Sequence, residues 1–111
     1  MVSGKTHWLM QRVSAIILIP LTLWFVYKFI KLTSYEYSEI LNFFSLKTNS
    51  FLFCMMMLIM IYHGRLGMQT IIEDYVSTIK IRKKIIFIIK IFSYILMLTS
   101  FLSIFYIQFY K

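Results

Sequence analysis

The sequence predicts an all-α integral membrane protein with three transmembrane helices, and three observations carry that prediction. The chain is 60% hydrophobic and 14% charged over 111 residues, with a mean hydropathy of +0.79. A water-soluble domain of this size would carry more charge and fewer aromatic rings. Three apolar runs, at residues 13–30, 51–72 and 85–109, each approach or exceed the roughly 20 residues that a helix needs to cross the hydrocarbon layer. The links between them are short and polar, which makes residues 1–111 a single membrane domain. Three helices alone enclose little interior, so the chain reads as part of a larger assembly.

The first run holds Pro20, which a lipid-embedded helix tolerates as a mild kink when neighbours satisfy the freed carbonyl. Trp8 before it, and Trp24 and Tyr27 towards its end, fit the aromatic belts of the two interfaces, with Lys28 and Lys31 free to snorkel outward. The link from residue 32 to 50 is partly amphipathic and predicts a short interfacial helix. Asn49 or Ser50 is placed to cap the second span. The third run follows a link that ends on the basic stretch IKIRKK.

Topology follows from Lys and Arg. Lys5 and Arg12, with Lys80, Arg82, Lys83 and Lys84, share one side; Lys28, Lys31, Lys47 and Lys111 share the other. The dense cluster in one short loop predicts the N-terminus inside and the C-terminus outside. The net charge of +8 is thereby a membrane feature, since the basic residues sit at segment ends and not on one soluble face; no nucleic-acid partner is expected. The long first run, without a small-residue cleavage site after it, reads as a mature start and not as a signal peptide. A lone Cys54 in an apolar run forms no disulfide framework and reads as a small hydrophobe.

The chemistry concentrates in HGRLGMQTIIEDYV, residues 63–76. His63 falls near the bilayer midplane, where a neutral imidazole serves as a metal or haem ligand, a proton-relay member or an interhelical contact. On a helix, His63, Gly67, Thr70 and Asp74 share one face. Gly64 and Gly67 remove bulk beside the imidazole, which suits a flat macrocycle and a tightly packed helix alike. Arg65 costs energy within a span and calls for an anionic partner; a haem propionate suits its fork of donors, as does a salt bridge to another subunit. Arg12, one turn before the first span, has the same two readings. Asp74 and Tyr75 stand roughly 16 to 18 Å along the axis from His63, at the inner interface, where a phenol can donate to a quinone carbonyl.

Together with HWLMQRVSAIILIPLTLW, residues 7–24, this stretch resembles the small membrane-anchor subunits of succinate dehydrogenase, respiratory complex II. The match consists of His63, Gly67, Asp74 and Tyr75, and of Arg12, Ser14 and Ala15 before the first span. The resemblance implies that His63 is one axial ligand of a haem b, the other coming from a companion anchor subunit. It implies that Tyr75 hydrogen-bonds ubiquinone with Asp74 close by, and that Arg12 lies near the haem propionates or the quinone pocket. Flavin and iron–sulfur clusters would belong to a flavoprotein and an iron–sulfur subunit docked on the inside face. The basic loop from Lys80 to Lys84 would help to seat them or contact lipid headgroups. The expected location is a mitochondrial inner membrane or a bacterial plasma membrane. Two other readings stay open: a haem-free structural subunit of another respiratory complex, and a fumarate reductase anchor. A proton-linked transporter is disfavoured, because it would want a carboxylate inside a span.

Overall fold

A computed structural model of the chain describes residues 4–110; Lys111, counted above on the outer side, lies outside the described residues. Four helices account for nearly all of it: α1 Gly4–Ile30, α2 Tyr37–Ser45, α3 Lys47–Tyr75 and α4 Ile79–Tyr110. The three long helices contain 27, 29 and 32 residues and each is long and apolar enough to cross a membrane. At about 1.5 Å per residue they run roughly 40 to 48 Å, well beyond a hydrocarbon core of about 30 Å. Each helix therefore extends past its predicted apolar run into flanking polar sequence, and the chain is an integral membrane protein.

The helices are antiparallel neighbours around α3. It packs against α1 on one side and α4 on the other, while α1 and α4 do not pack against each other among the described residues. Pro20 lies within α1 without ending it. Buried hydrophobic side chains among the described residues are few: Phe43, Phe44, Met56, Leu66 and Ile72. Most large apolar side chains point outward, as they must when the solvent is lipid.

At one end, the predicted interfacial helix is present as α2. Aromatic rings join it to the spans: Trp24 and Phe29 of α1 lie 6.3 and 5.6 Å from Phe43, and Phe53 of α3 lies 4.9 Å from Phe44. Trp24 thus packs against protein as well as marking an interface. Asn49 and Ser50 do not cap α3, whose N-cap position is Leu46. They are buried in its first turn and turn back to α2, Asn49 donating to the Phe43 carbonyl at 3.0 Å and Ser50 to that of Phe44. The last carbonyls of a short helix lack partners within it, and these side chains supply them. At the other end, residues 76–78 turn the chain from α3 into α4, and Arg82 Nε donates to the Val76 carbonyl at 2.9 Å. One cation of the basic loop is therefore spent on holding the turn.

Candidate functional site: the seam between α1 and α3

Of the face predicted to be shared by His63, Gly67, Thr70 and Asp74, α1 covers the first three, while Asp74 is exposed. His63 Nδ1 lies 2.8 Å from Ser14 Oγ. Gly67 backs onto Gln11, whose Nε2 would be 3.4 Å from a Cβ at that position. His7 Nε2 lies 3.0 Å from Thr70 Oγ1 and 3.2 Å from the Leu66 carbonyl. Thr70 itself donates to Leu66 O at 3.1 Å, so His7 Nε2 is the donor to both oxygens. His7, Gln11 and Ser14 recur at offsets of four and seven, the spacing of one helical face, and meet Thr70, Gly67 and His63 in antiparallel order. Polar groups inside a span have found one another across a helix pair, which removes most of the cost of placing them there.

Ser14 is 5% exposed and donates to the Gln11 carbonyl at 3.0 Å. His63 Nε2 takes no hydrogen bond among the described residues. A Cβ at Gly64 would meet nothing within 4 Å, so the helix surface beside the imidazole is open on that side. A ring nitrogen without a protein partner is the kind of donor that could hold a haem iron, and His63 is the residue of the seam that offers one. His7 does not supply a second, since its ring is tied to the Leu66–Thr70 turn.

The two arginines stand apart. Arg65, two residues after His63, is turned about 200° around the helix. Its guanidinium lies between Tyr62 and Tyr94, at 5.2 and 5.6 Å from the ring centres. Arg65 Nε and Nη1 are buried without a hydrogen-bond partner among the described residues. With His7, Gln69, Lys83 and Lys90 it lines a cavity of about 520 Å³ in the gap between α1 and α4. Arg12 stacks on Trp8 at 5.6 Å and lines a second cavity, of about 630 Å³, with Gln11, Gly67, Thr70 and Glu73. Ring faces beside both cations provide attraction that lipid tails cannot.

Tyr75 and Asp74 are exposed at the end of α3, Tyr75 to 84%, and line neither cavity. At about 18 Å along the helix from His63, Tyr75 forms no common site with it within this chain. Sequence reasoning passed over three seam residues, Ser14 as a partner of His63 and both His7 and Gln11. Their i, i+4, i+7 spacing was the available signal. It also passed over Lys90, a lone cation inside the third span that faces the Arg65 cavity.

These features define a class: a small three-span membrane subunit whose intramembrane polar groups are arranged along one helix pair. The chain matches the succinate dehydrogenase/fumarate reductase transmembrane subunit family over residues 2–99 and belongs to it. It is 34% identical to the succinate dehydrogenase hydrophobic membrane anchor subunit of Rickettsia bellii over 104 residues, covering 94% of this chain and 83% of that one. The corresponding subunit of Rickettsia prowazekii is 33% identical over the same shares. The succinate dehydrogenase membrane anchor subunit of Reclinomonas americana is 35% identical over 92 residues, covering 80% of this chain and 77% of that one.

Proposed function

We propose that this chain anchors a succinate:ubiquinone oxidoreductase in the membrane and contributes one side of a haem b site and part of a ubiquinone site. The observation that carries the proposal is His63, held by Ser14 in the seam between two spans with its second nitrogen free. In this reading the N-terminus and the α3–α4 turn face the inside, as the positive charge there favours. A companion anchor subunit would supply a second histidine to hold the haem, and the flavoprotein and iron–sulfur subunits would dock on the inside face. Bound haem b would supply a one-electron reservoir near the quinone, with a potential set by its axial ligands and their hydrogen bonds.

The chain's own residues then have separate tasks. His63 would hold the haem through Nε2. Arg12, in the cavity beside the seam, offers positive charge to a propionate or to the quinone pocket. Tyr75, at the inside end of α3, donates its phenol hydrogen to a quinone carbonyl, and Asp74 beside it passes protons from the inside water. The exposure of both residues supports a pocket completed by other subunits. The family also includes fumarate reductase anchors, which would hold the same groups while the chemistry runs in reverse.

The test is a dithionite-reduced minus oxidised visible spectrum of the detergent-extracted complex, wild type and His63→Leu. A b-type signal present in the wild type and lost in the variant supports the reading. A wild-type spectrum from the variant removes His63 from the site. A wild-type complex with full subunit stoichiometry and no haem signal leaves His63 as an interhelical contact only.

A further inference from the structure

We infer that Ser14 is the positioning residue that sets the tautomer and ring orientation of His63. This inference rests on the haem reading above and adds a residue to it. The two contacts of Ser14 favour one tautomer. A serine hydroxyl has one hydrogen, and Ser14 directs it to the Gln11 carbonyl at 3.0 Å. Towards His63, 2.8 Å away, the same oxygen can then only accept. The hydrogen between them belongs to Nδ1, and Nε2 carries the lone pair.

In the reverse arrangement, with Nε2–H and a bare Nδ1, Ser14 would give its hydrogen to the ring and lose its bond to the Gln11 carbonyl. That tautomer would have no lone pair on Nε2 to offer a metal. Ser14 is 5% exposed, so no bulk water competes for either bond. The back-bond to the preceding turn of α1 fixes the direction of Oγ. Gly67 against Gln11, and His7 against Thr70, fix the spacing of the two helices around it. The hydroxyl therefore acts as a rigid acceptor built into α1, aimed at one nitrogen of α3.

The chemical consequence is specific. An imidazole that donates through Nδ1 is a more basic donor through Nε2, and such outer partners typically change metal affinity by about 10- to 100-fold. A more basic axial ligand stabilises the ferric state and lowers the haem potential.

The experiment uses the assembled complex carrying wild-type chain, Ser14→Ala, Ser14→Thr or Ser14→Val. Thr and Val share a shape and differ by the hydroxyl alone. Haem retention is measured by titration with a competing haem-binding protein, and the midpoint potential by redox titration of the absorbance. The expected result is a loss of haem affinity of about 10- to 100-fold in Ala and Val, a potential raised above wild type, and both restored in Thr. Equal affinity and potential in Thr and Val would overturn the role of Ser14. If His63→Leu still abolished the haem in that case, the haem reading would stand without it. A haem-free wild-type complex would overturn both.

Discussion

The side-chain amide of Gln108, near the end of α4, donates to the carbonyl oxygen of Phe44 at 2.6 Å, across 64 positions of sequence. It also reaches Ser50 Oγ at 3.1 Å. The last span is thereby joined to the corner between α2 and α3, and the end of the interfacial helix is satisfied by side chains from both neighbours. Gln108→Leu removes the amide and leaves the apolar reach of the side chain. Ser50 still serves the Phe44 carbonyl, so the expected cost is about 0.5 to 1.5 kcal/mol, the net worth of one hydrogen bond. Hydrogen exchange should quicken in α2 and in the last turns of α4, while the opposite end of the chain is unaffected. Unchanged exchange in α2 would show the amide to be dispensable.

Gly67 separates two substitutions sharply. A Cβ at this position meets only the flexible end of Gln11, at 3.4 Å. Gly67→Ala is expected to assemble normally, within about 1 kcal/mol of wild type, because the gain in helix propensity offsets a small shift of Gln11. Gly67→Leu cannot leave Gln11 where it stands and is expected to push that side chain out of the seam, disturbing the Ser14–His63 bond one turn away. Native gel electrophoresis of the complex, read alongside haem content, checks both. Normal assembly and haem in the Leu variant would show that the seam is not close-packed there.

Tyr75→Phe keeps the ring and removes the hydroxyl of an exposed side chain, so the fold should not respond. Quinone reduction by the complex is expected to fall about tenfold, the equivalent of one lost hydrogen bond. Dye-linked succinate oxidation, which bypasses the anchor, should be unchanged. Full quinone reductase activity would remove Tyr75 from its assigned role.

The loop between α1 and α2 has its own pH dependence. The Glu39 carboxylate takes a hydrogen bond from the Ser34 hydroxyl and further ones from the backbone amides of Thr33 at 2.8 Å and Ser34 at 2.9 Å. The Ser34 hydroxyl is the largest cause holding this carboxyl below the usual carboxylate range, against an opposing desolvation. A lowered value in the folded state means that the stabilisation is complete above the ordinary range and is lost as pH falls through it and below. The amide resonances of Thr33 and Ser34 should therefore shift together on acidification, and Glu39→Gln should remove that titration. Independent or absent shifts in the wild type would dissociate the loop from Glu39.

The sequence made the three spans legible because lipid imposes a strong and simple rule on composition. The same rule hides where helices end. The runs of apolar residues stop at the hydrocarbon boundary, whereas α1 and α3 continue through Lys5 and Glu73, whose backbones still hydrogen-bond best as helix. Asn49 and Ser50 show a second limit. Their residue types suit a cap, but a buried corner with unpaired carbonyls in α2 competed for the same side chains. At the candidate site, periodicity put His63, Gly67 and Thr70 on one face. It did not say which helix would cover that face, so the match of Ser14 to His63 emerged only from the packed pair. Arg12 and Arg65, read alike from their charge, proved to line different cavities, because two residues along a helix is more than half a turn from His63.

The arrangement in which α1 and α4 flank α3 without packing on each other has a consequence for the life of the protein in a cell. A copy made in excess has almost no interior of its own to protect it. Such a surplus copy would be expected to be a short-lived substrate for membrane proteolysis, so that the amount of this chain is set by the scarcest of its partners and not by its own rate of synthesis.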